Sequence, residues 1–266
     1  MSNTDLTDKE QEIINLNFRF RYLDRARIQR IFKHKYPGKI NKWLKNLEDQ
    51  QYLIRIQNNN SRDNSIPHIF QLDKKGVKFM KNKIGFSNQY IKILLKAEKL
   101  SYLKINHDLK AVDFAIFLQE YAQQFGHTLE YFTEVDLAGT QYKTIRPRPD
   151  GYFKYKTQKG ELNCFVEIDL ESETRTTFQR KVNDYIDYYQ SDKWKNQFQE
   201  FPVIVTVCLT FKRKEDLVLD TEETLKKNRY PFIIFKFSTF DEIQKEKINS
   251  QIWKFSFGEN QRYRLI

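Results

Sequence analysis

In the first fifty or so residues apolar side chains recur at helical spacing in three separate bursts, and in the next twenty they do not. Ile13, Ile14, Leu16 and Phe20 mark a first helix, capped by Thr7 or Asp8 and running to about Tyr22. Ile28, Ile31 and Phe32 mark a second, from Asp24 to about Lys33. After the break at Pro37-Gly38, Ile40, Trp43, Leu44 and Leu47 mark a third, from about Lys39 to Gln50. The pattern then becomes strand-like: Tyr52 to Ile56, a polar loop at Asn58 to Asn64, and His68 to Leu72, a hairpin with a long tip. Lys74-Lys75-Gly76 leads into another helix.

Three helices followed by a hairpin is the winged-helix order. In helix-turn-helix modules the recognition helix enters the major groove, and here that is the third helix. Its polar face carries Lys39, Asn41, Lys42, Lys45 and Asn46. Lysine suits phosphate or guanine, and asparagine suits adenine. The charge distribution agrees. Residues 1–83 hold 18 Lys/Arg against 9 Asp/Glu, and the remainder 28 against 26, so nearly all of the net +11 lies in the first third. Lys and Arg release condensed counterions from phosphates, so double-stranded DNA is the expected partner of that third. A winged helix used only for protein contacts is the alternative.

Other classes are expected to be excluded. No apolar run approaches a membrane span, and the N-terminus has no secretory h-region, so a cytoplasmic protein is expected. Cys164 and Cys208 sit in apolar runs without zinc spacing and read as core residues of a reducing compartment. His34, His68, His107 and His127 show no metal or triad spacing. The division expected is a winged-helix domain at 1–83, a connector at 84–106 with a strand-like run from Tyr90 to Leu95, and a second domain at 107–266.

That second domain reads as a helix, about His107 to Phe125, then strands at Leu129–Val135, Pro149–Tyr155 and Asn163–Leu170. The last two are joined by a turn at Gln158-Lys159-Gly160. A helix from about Thr176 to Gln190 leads to a strongly apolar strand, Phe201 to Phe211, through a crossover expected to be right-handed. A helix from about Glu215 to Lys227, a strand from Tyr230 to Phe237, a short helix and a strand near Ile252 to Phe257 complete it.

The chemistry sits in one stretch. Glu167 and Asp169 alternate with Val166 and Ile168, so both carboxylates share one face of their strand. If the strands pair as a hairpin, Asp150 shares that face. Three converging carboxylates resist full ionisation unless a cation neutralises them, and oxygen ligands of this kind suit magnesium or manganese. Lys181, one turn into the next helix, brings a positive charge toward the same place, with Tyr185 and Tyr188 nearby.

Asp150, the strand Glu167-Ile168-Asp169 and the helix bearing Lys181 resemble the PD-(D/E)xK restriction-endonuclease-like fold. The whole chain resembles more closely the replication-relaxation family of plasmids and integrative elements. The matching stretches are Tyr52-Leu53, Ile69 to Gly76, His107-Asp108-Leu109, Arg148-Pro149-Asp150, Phe165 to Asp169, and Lys181 with Tyr185. The resemblance implies a winged helix-turn-helix followed by a nuclease-like mixed sheet, α+β or α/β in class. It implies that Asp150 and Glu167 hold a Mg2+ or Mn2+ ion and that Lys181 orients the attacking water. The nuclease pattern wants lysine where Asp169 stands, and Lys181 would supply it from the following helix. The function implied is DNA binding in the replication, relaxation or mobilisation of a mobile element, with a metal-dependent DNA-nicking or cleaving domain, a Mg- or Mn-dependent endonuclease. A homodimer, or replication and mobilisation proteins, are further expected partners. A non-catalytic initiator or regulator, and a defence or transposition endonuclease, are the competing readings.

Overall fold

The computed structural model of the chain describes residues 6–56, 67–84, 102–158, 160–257 and 261–265. The hairpin tip at Asn58 to Asn64 and the run Tyr90 to Leu95 lie outside the described residues. Two compact units emerge, Met1–Ile116 and Phe117–Ile266.

In the first unit, Thr7 opens α1 (Asp8–Phe20) with a reciprocal cap. Its hydroxyl accepts from the Glu10 amide at 3.3 Å, and Glu10 Oε2 accepts from the Thr7 amide at 2.9 Å. Ile13, Ile14, Leu16 and Phe18 are buried. Phe20, expected inward, is half-buried, because the inward stripe runs from Ile14 to Phe18, one helical repeat on. A two-residue strand β1 (Leu23–Asp24), too short to show a period, precedes α2 (Arg25–Phe32), which Asp24 caps by accepting from the Arg27 amide at 2.8 Å. Helix α3 (Pro37–Asp49) starts at Pro37 rather than after it, since a proline in the first turn forfeits no helical hydrogen bond. It buries Ile40, Leu44 and Leu47. Strands β2 (Leu53–Ile56) and β3 (Ile69–Leu72) pair antiparallel, β1 joins the free side of β3, and α4 (Lys74–Ile84) follows. Three helices with this small sheet form the expected winged helix.

Helix α5 (Tyr102–Gln124) begins ahead of its expected start at His107, and the division between the units falls inside it. This differs from the sequence-based boundaries at 83 and 107, and Arg27 is a reason. Its Nε donates to the Leu109 carbonyl at 3.2 Å and an Nη to Asp113 at 2.8 Å, which ties the first half of α5 to the winged helix.

The second unit is a six-stranded mixed sheet in the order β4-β5-β6-β7-β8-β9. Strands β4 (Thr128–Thr133), β5 (Gly151–Thr157) and β6 (Gly160–Asp169) form an antiparallel meander. Parallel pairing then joins β6 to β7 (Val203–Cys208) and β7 to β8 (Phe235–Thr239), and β9 (Lys254–Phe255) closes the edge antiparallel. Helices α6 (Glu134–Gly139), α7 (Arg175–Gln190), α8 (Phe211–Asn228) and α9 (Phe240–Glu246) occupy the connections. Strand β4 stops at Thr133, short of the expected Val135, because Thr133 and Asp136 form a capping box that starts α6. Strand β8 begins later than expected, after Pro231, which has no N–H to give a ladder. Phe165, Tyr185, Val182, Ile186, Leu217, Phe235 and Phe237 belong to one core cluster contributed by the sheet, α7 and α8. A meander continued by parallel strands with a helical crossover is a mixed sheet, as the resemblance implied. Among the described residues no helix is long and apolar enough to cross a membrane.

One close approach fixes α4 against the hairpin. A Cβ on Gly76 would lie 2.2 Å from the Tyr52 carbonyl oxygen, and backbone cannot swing aside as a side chain can. Gly76→Ala should therefore cost about 1–3 kcal/mol of local stability. Amide exchange in β2 and β3 should accelerate accordingly, and unchanged exchange there would show that α4 shifts without cost.

Candidate functional site

The hairpin of β5 and β6 puts Asp150 where the sequence placed it, at the foot of β5 beside Glu167. Gly151 pairs with Val166, and the Asp150 amide donates to the Val166 carbonyl at 2.9 Å. Asp150 Oδ2 accepts from the Ile168 amide at 2.9 Å, which fastens the carboxylate across the two strands. Glu167 lies on the face that α7 covers and is 3 % exposed. Lys181 and Tyr185, four apart on α7, both reach it. Lys181 Nζ donates to Glu167 Oε2 at 2.9 Å, and the Tyr185 hydroxyl donates to Oε1 at 2.5 Å. Lys181 also donates to Glu173 Oε1 at 3.1 Å.

The three predicted carboxylates do not meet at one point. Among the described residues no three His, Cys, Asp or Glu side chains gather closely enough to share a metal ion. Asp169, though on the face of Glu167, is claimed by Arg213, whose Nε and Nη2 donate to its two oxygens at 2.8 Å each. The same Nη2 donates to the Glu173 carbonyl at 2.8 Å. The cluster that forms is Asp150, Glu167 and Lys181, extended by Tyr185 and Glu173. Tyr188 does not join it; its ring packs against Phe201 at 6.0 Å. Sequence reasoning missed Glu173 and Arg213. Glu173 sits in a loop without period, and Arg213 lies far along the chain, behind a Thr210 cap that only marks a helix start.

The electrostatics follow from burial. Glu167 is pushed up to about 6, by loss of water first and by the charge of Asp150 as well, while Lys181 and the Tyr185 hydrogen bond pull it down. Burial lowers Lys181, but Glu167, Asp150 and Glu173 outweigh it and hold the amine above its ordinary value. Tyr185 is raised well above the usual phenol by burial and by Glu167. Lys181 is therefore an ammonium at neutral pH. It can orient a water or offset charge on an oxyanion, but it has no lone pair with which to accept a proton. Asp150 and Glu167 are the two residues that could hold a small hard cation, since magnesium commonly takes one or two carboxylates and keeps several waters; Lys181 and Tyr185 already engage both Glu167 oxygens.

On α3, Lys39, Asn41, Lys42 and Lys45 are exposed, as the sequence placed them. Asn46 leaves that face: its amide donates to Glu10 Oε1 at 2.6 Å and ties α3 to α1.

The Glu167–Lys181 pair makes a pH-dependent prediction. In the folded protein Glu167 holds its proton up to about 6, against an ordinary value of 4.5. Its contribution to stability therefore falls as pH rises through that window. Lys181→Met removes the cation that lowers this value, so the window should extend upward. The loss of stability should be about 3–5 kcal/mol at pH ~8, where a charge is left buried, and smaller at pH ~5, where the carboxyl is neutral. Urea unfolding at the two pH values reads the difference, and an equal loss at both would reduce Lys181 to packing.

No curated protein matches the chain significantly. Among solved structures, ZitR of Lactococcus lactis, a zinc-responsive MarR family member, shares 18% identity, with 47% of this chain and 79% of that chain covered and a TM-score of 0.26. Restriction endonuclease FokI shares 12% identity over 90% of this chain and 43% of its own, with a TM-score of 0.30. At such scores neither likeness adds to the fold described above. The sequence profile of the replication-relaxation family matches residues 19–204, well over half of the chain. This protein belongs to the replication-relaxation family.

Proposed function

We propose that this protein binds duplex DNA through its winged helix and hydrolyses a phosphodiester bond in its second unit, in the replication, relaxation or mobilisation of a mobile element. The observation that carries the hydrolytic part is the placing of Asp150 beside Glu167 on adjoining strands, with the Lys181 ammonium against them. The DNA part is supported by the exposed Lys39, Asn41, Lys42 and Lys45 and by the concentration of positive charge in residues 1–83. The family's description, replication-relaxation, points to the same substrate.

In this reading Asp150 and Glu167 would hold Mg2+ or Mn2+. When bound, such an ion polarises a phosphoryl oxygen and supplies a nucleophilic water. The chain's residues then have separate tasks. Tyr185 holds Glu167 in one orientation. Lys181, shared with Glu173, presents a fixed positive charge to the water or to the non-bridging oxygens. Arg213 keeps Asp169 out of the ligand set.

A second reading has its own support. Both Glu167 oxygens are engaged by Tyr185 and Lys181, and Asp169 is locked by Arg213, which also suits a nuclease fold kept as a non-catalytic scaffold in a DNA-binding regulator.

Two measurements separate these possibilities. Supercoiled plasmid incubated with the protein and Mg2+ or Mn2+ should be nicked or cut. Asp150→Ala should abolish this and any calorimetric manganese binding, while duplex binding persists. Intact plasmid with a duplex-binding wild-type protein would favour the regulator. Independently, Lys42→Glu with Lys45→Glu should weaken duplex binding and lower its salt slope by roughly one to two units. Unchanged affinity in the folded double variant would remove α3 from the interface.

A further inference from the structure

We infer that a groove between α2, α3 and the β2–β3 hairpin seats the sugar-phosphate backbone of DNA, with a phosphate gripped by Arg25, Lys45 and Arg55; this rests on the DNA-binding reading and extends it to residues outside the polar face of α3. The groove has a volume of about 730 Å³. One wall comes from Leu44 and Lys45 of α3, the other from Arg55 and Phe70 of the hairpin, and Arg25 lies at the start of α2.

Three observations point to a phosphate. The first is an unmet donor. Arg55 gives one nitrogen to Glu48 Oε2 at 2.6 Å, but its Nε is buried and has no hydrogen-bond partner. A buried N–H left unpaired costs about 1–3 kcal/mol, and a small turn of the Arg55 guanidinium, whose side chain is 36% exposed, would bring that donor to an anionic oxygen in the groove. The second is the charge balance. Glu48 and Asp49 also line the groove, but Glu48 is already paired with Arg55. Arg25 spends a nitrogen on the neutral Gln29 at 2.7 Å, and Lys45 is exposed without an ion-pair partner among the described residues. With the Arg55–Glu48 pair set aside, Arg25 and Lys45 stand against Asp49 among the lining residues, so a net positive charge of one is left to meet an anion. The third is shape. The space far exceeds a single ion and is open along one side. Asn41 and Lys45 belong both to this groove and to the outer face of α3, so the groove adjoins that face.

The test uses the full chain and a duplex oligonucleotide over a salt series. Arg25→Ala and Arg55→Ala should each weaken binding at least about fivefold near 100 mM salt and lower the salt slope by roughly one unit, as for a lost phosphate contact. The loss should be alike for unrelated duplex sequences, because phosphate contacts carry no sequence information directly. Arg55→Lys, which keeps the charge and loses the fork, should fall between. Arg55→Ala frees Glu48 and can disturb the fold, so Arg25→Ala carries the test if circular dichroism shows that loss. Adenosine monophosphate represents the other source of the same chemistry. If it binds saturably in an Arg25-dependent way while the variants keep full duplex affinity, the groove holds a free nucleotide and the proposal is overturned. If K42E/K45E weakens duplex binding but Arg25→Ala and Arg55→Ala change neither affinity nor slope, only the groove assignment falls. A wild-type protein that binds no duplex would overturn the DNA reading and the groove with it.

Discussion

Glu167 is a carboxylate with almost no access to water, set on a central strand of a six-stranded sheet. Left alone, such a group would neutralise itself or unfold its surroundings. Its two oxygens are instead met by Lys181 and Tyr185, which stand one above the other on α7. That answer fixes the rotation of α7 about its axis. Once Lys181 and Tyr185 point at the strand, Val182 and Ile186 are carried with them into the core, and the Tyr185 ring comes to rest on Phe165 at 5.9 Å. The polar centre and the apolar core of the second unit are thus two aspects of one packing decision.

Much of this was legible in the sequence, and the boundary of legibility has a physical form. Alternation through Val166, Glu167, Ile168 and Asp169 assigns faces, because a strand has a period of two. It cannot say which distant side chain will claim a carboxylate. Glu167 and Asp169 look equivalent in sequence, yet one is answered from α7 and the other by Arg213 from α8. Asn46 repeats the lesson in the winged helix: spacing puts it among the outward residues of α3, and only the presence of Glu10 on α1 turns it inward. Helix starts were legible where a local cap announced them, as at Thr7 and Asp24. The start of α5 was not, because its first turns are secured by side chains of another part of the chain: Ile105 shares a buried cluster with Tyr22, and Arg21 pairs with Asp108 at 3.6 Å. The groove beside α3 was equally invisible, since it is lined from three elements whose neighbourhood no local pattern encodes.

The two units manage charge in opposite ways. In the winged helix much of the positive charge is exposed, on one face of α3, where it remains available to an outside partner. In the second unit many of the cations near the candidate site are spent internally, Lys181 on Glu167 and Glu173, Arg213 on Asp169, and the buried Lys214 on Glu242 at 2.7 Å. A surface of the first kind acts at long range and is screened by salt; a network of the second kind is shielded and acts over contact distances.

The bond from the Ile168 amide to Asp150 Oδ2 has a consequence for how this hairpin can vary. Shifting β5 against β6 by one residue would turn the side chains of β5, Tyr152 among them, toward the opposite face of the sheet and carry Asp150 out of register with Glu167. A clasp at the open end of the hairpin resists that slip, so the register does not depend on the turn between Thr157 and Gly160 alone. The turn is thereby released from a duty that short hairpin loops usually carry. Length changes and grafted segments belong at that turn, at the far end of the strands from the carboxylates, and it is the natural point of entry for a fluorophore or an affinity tag.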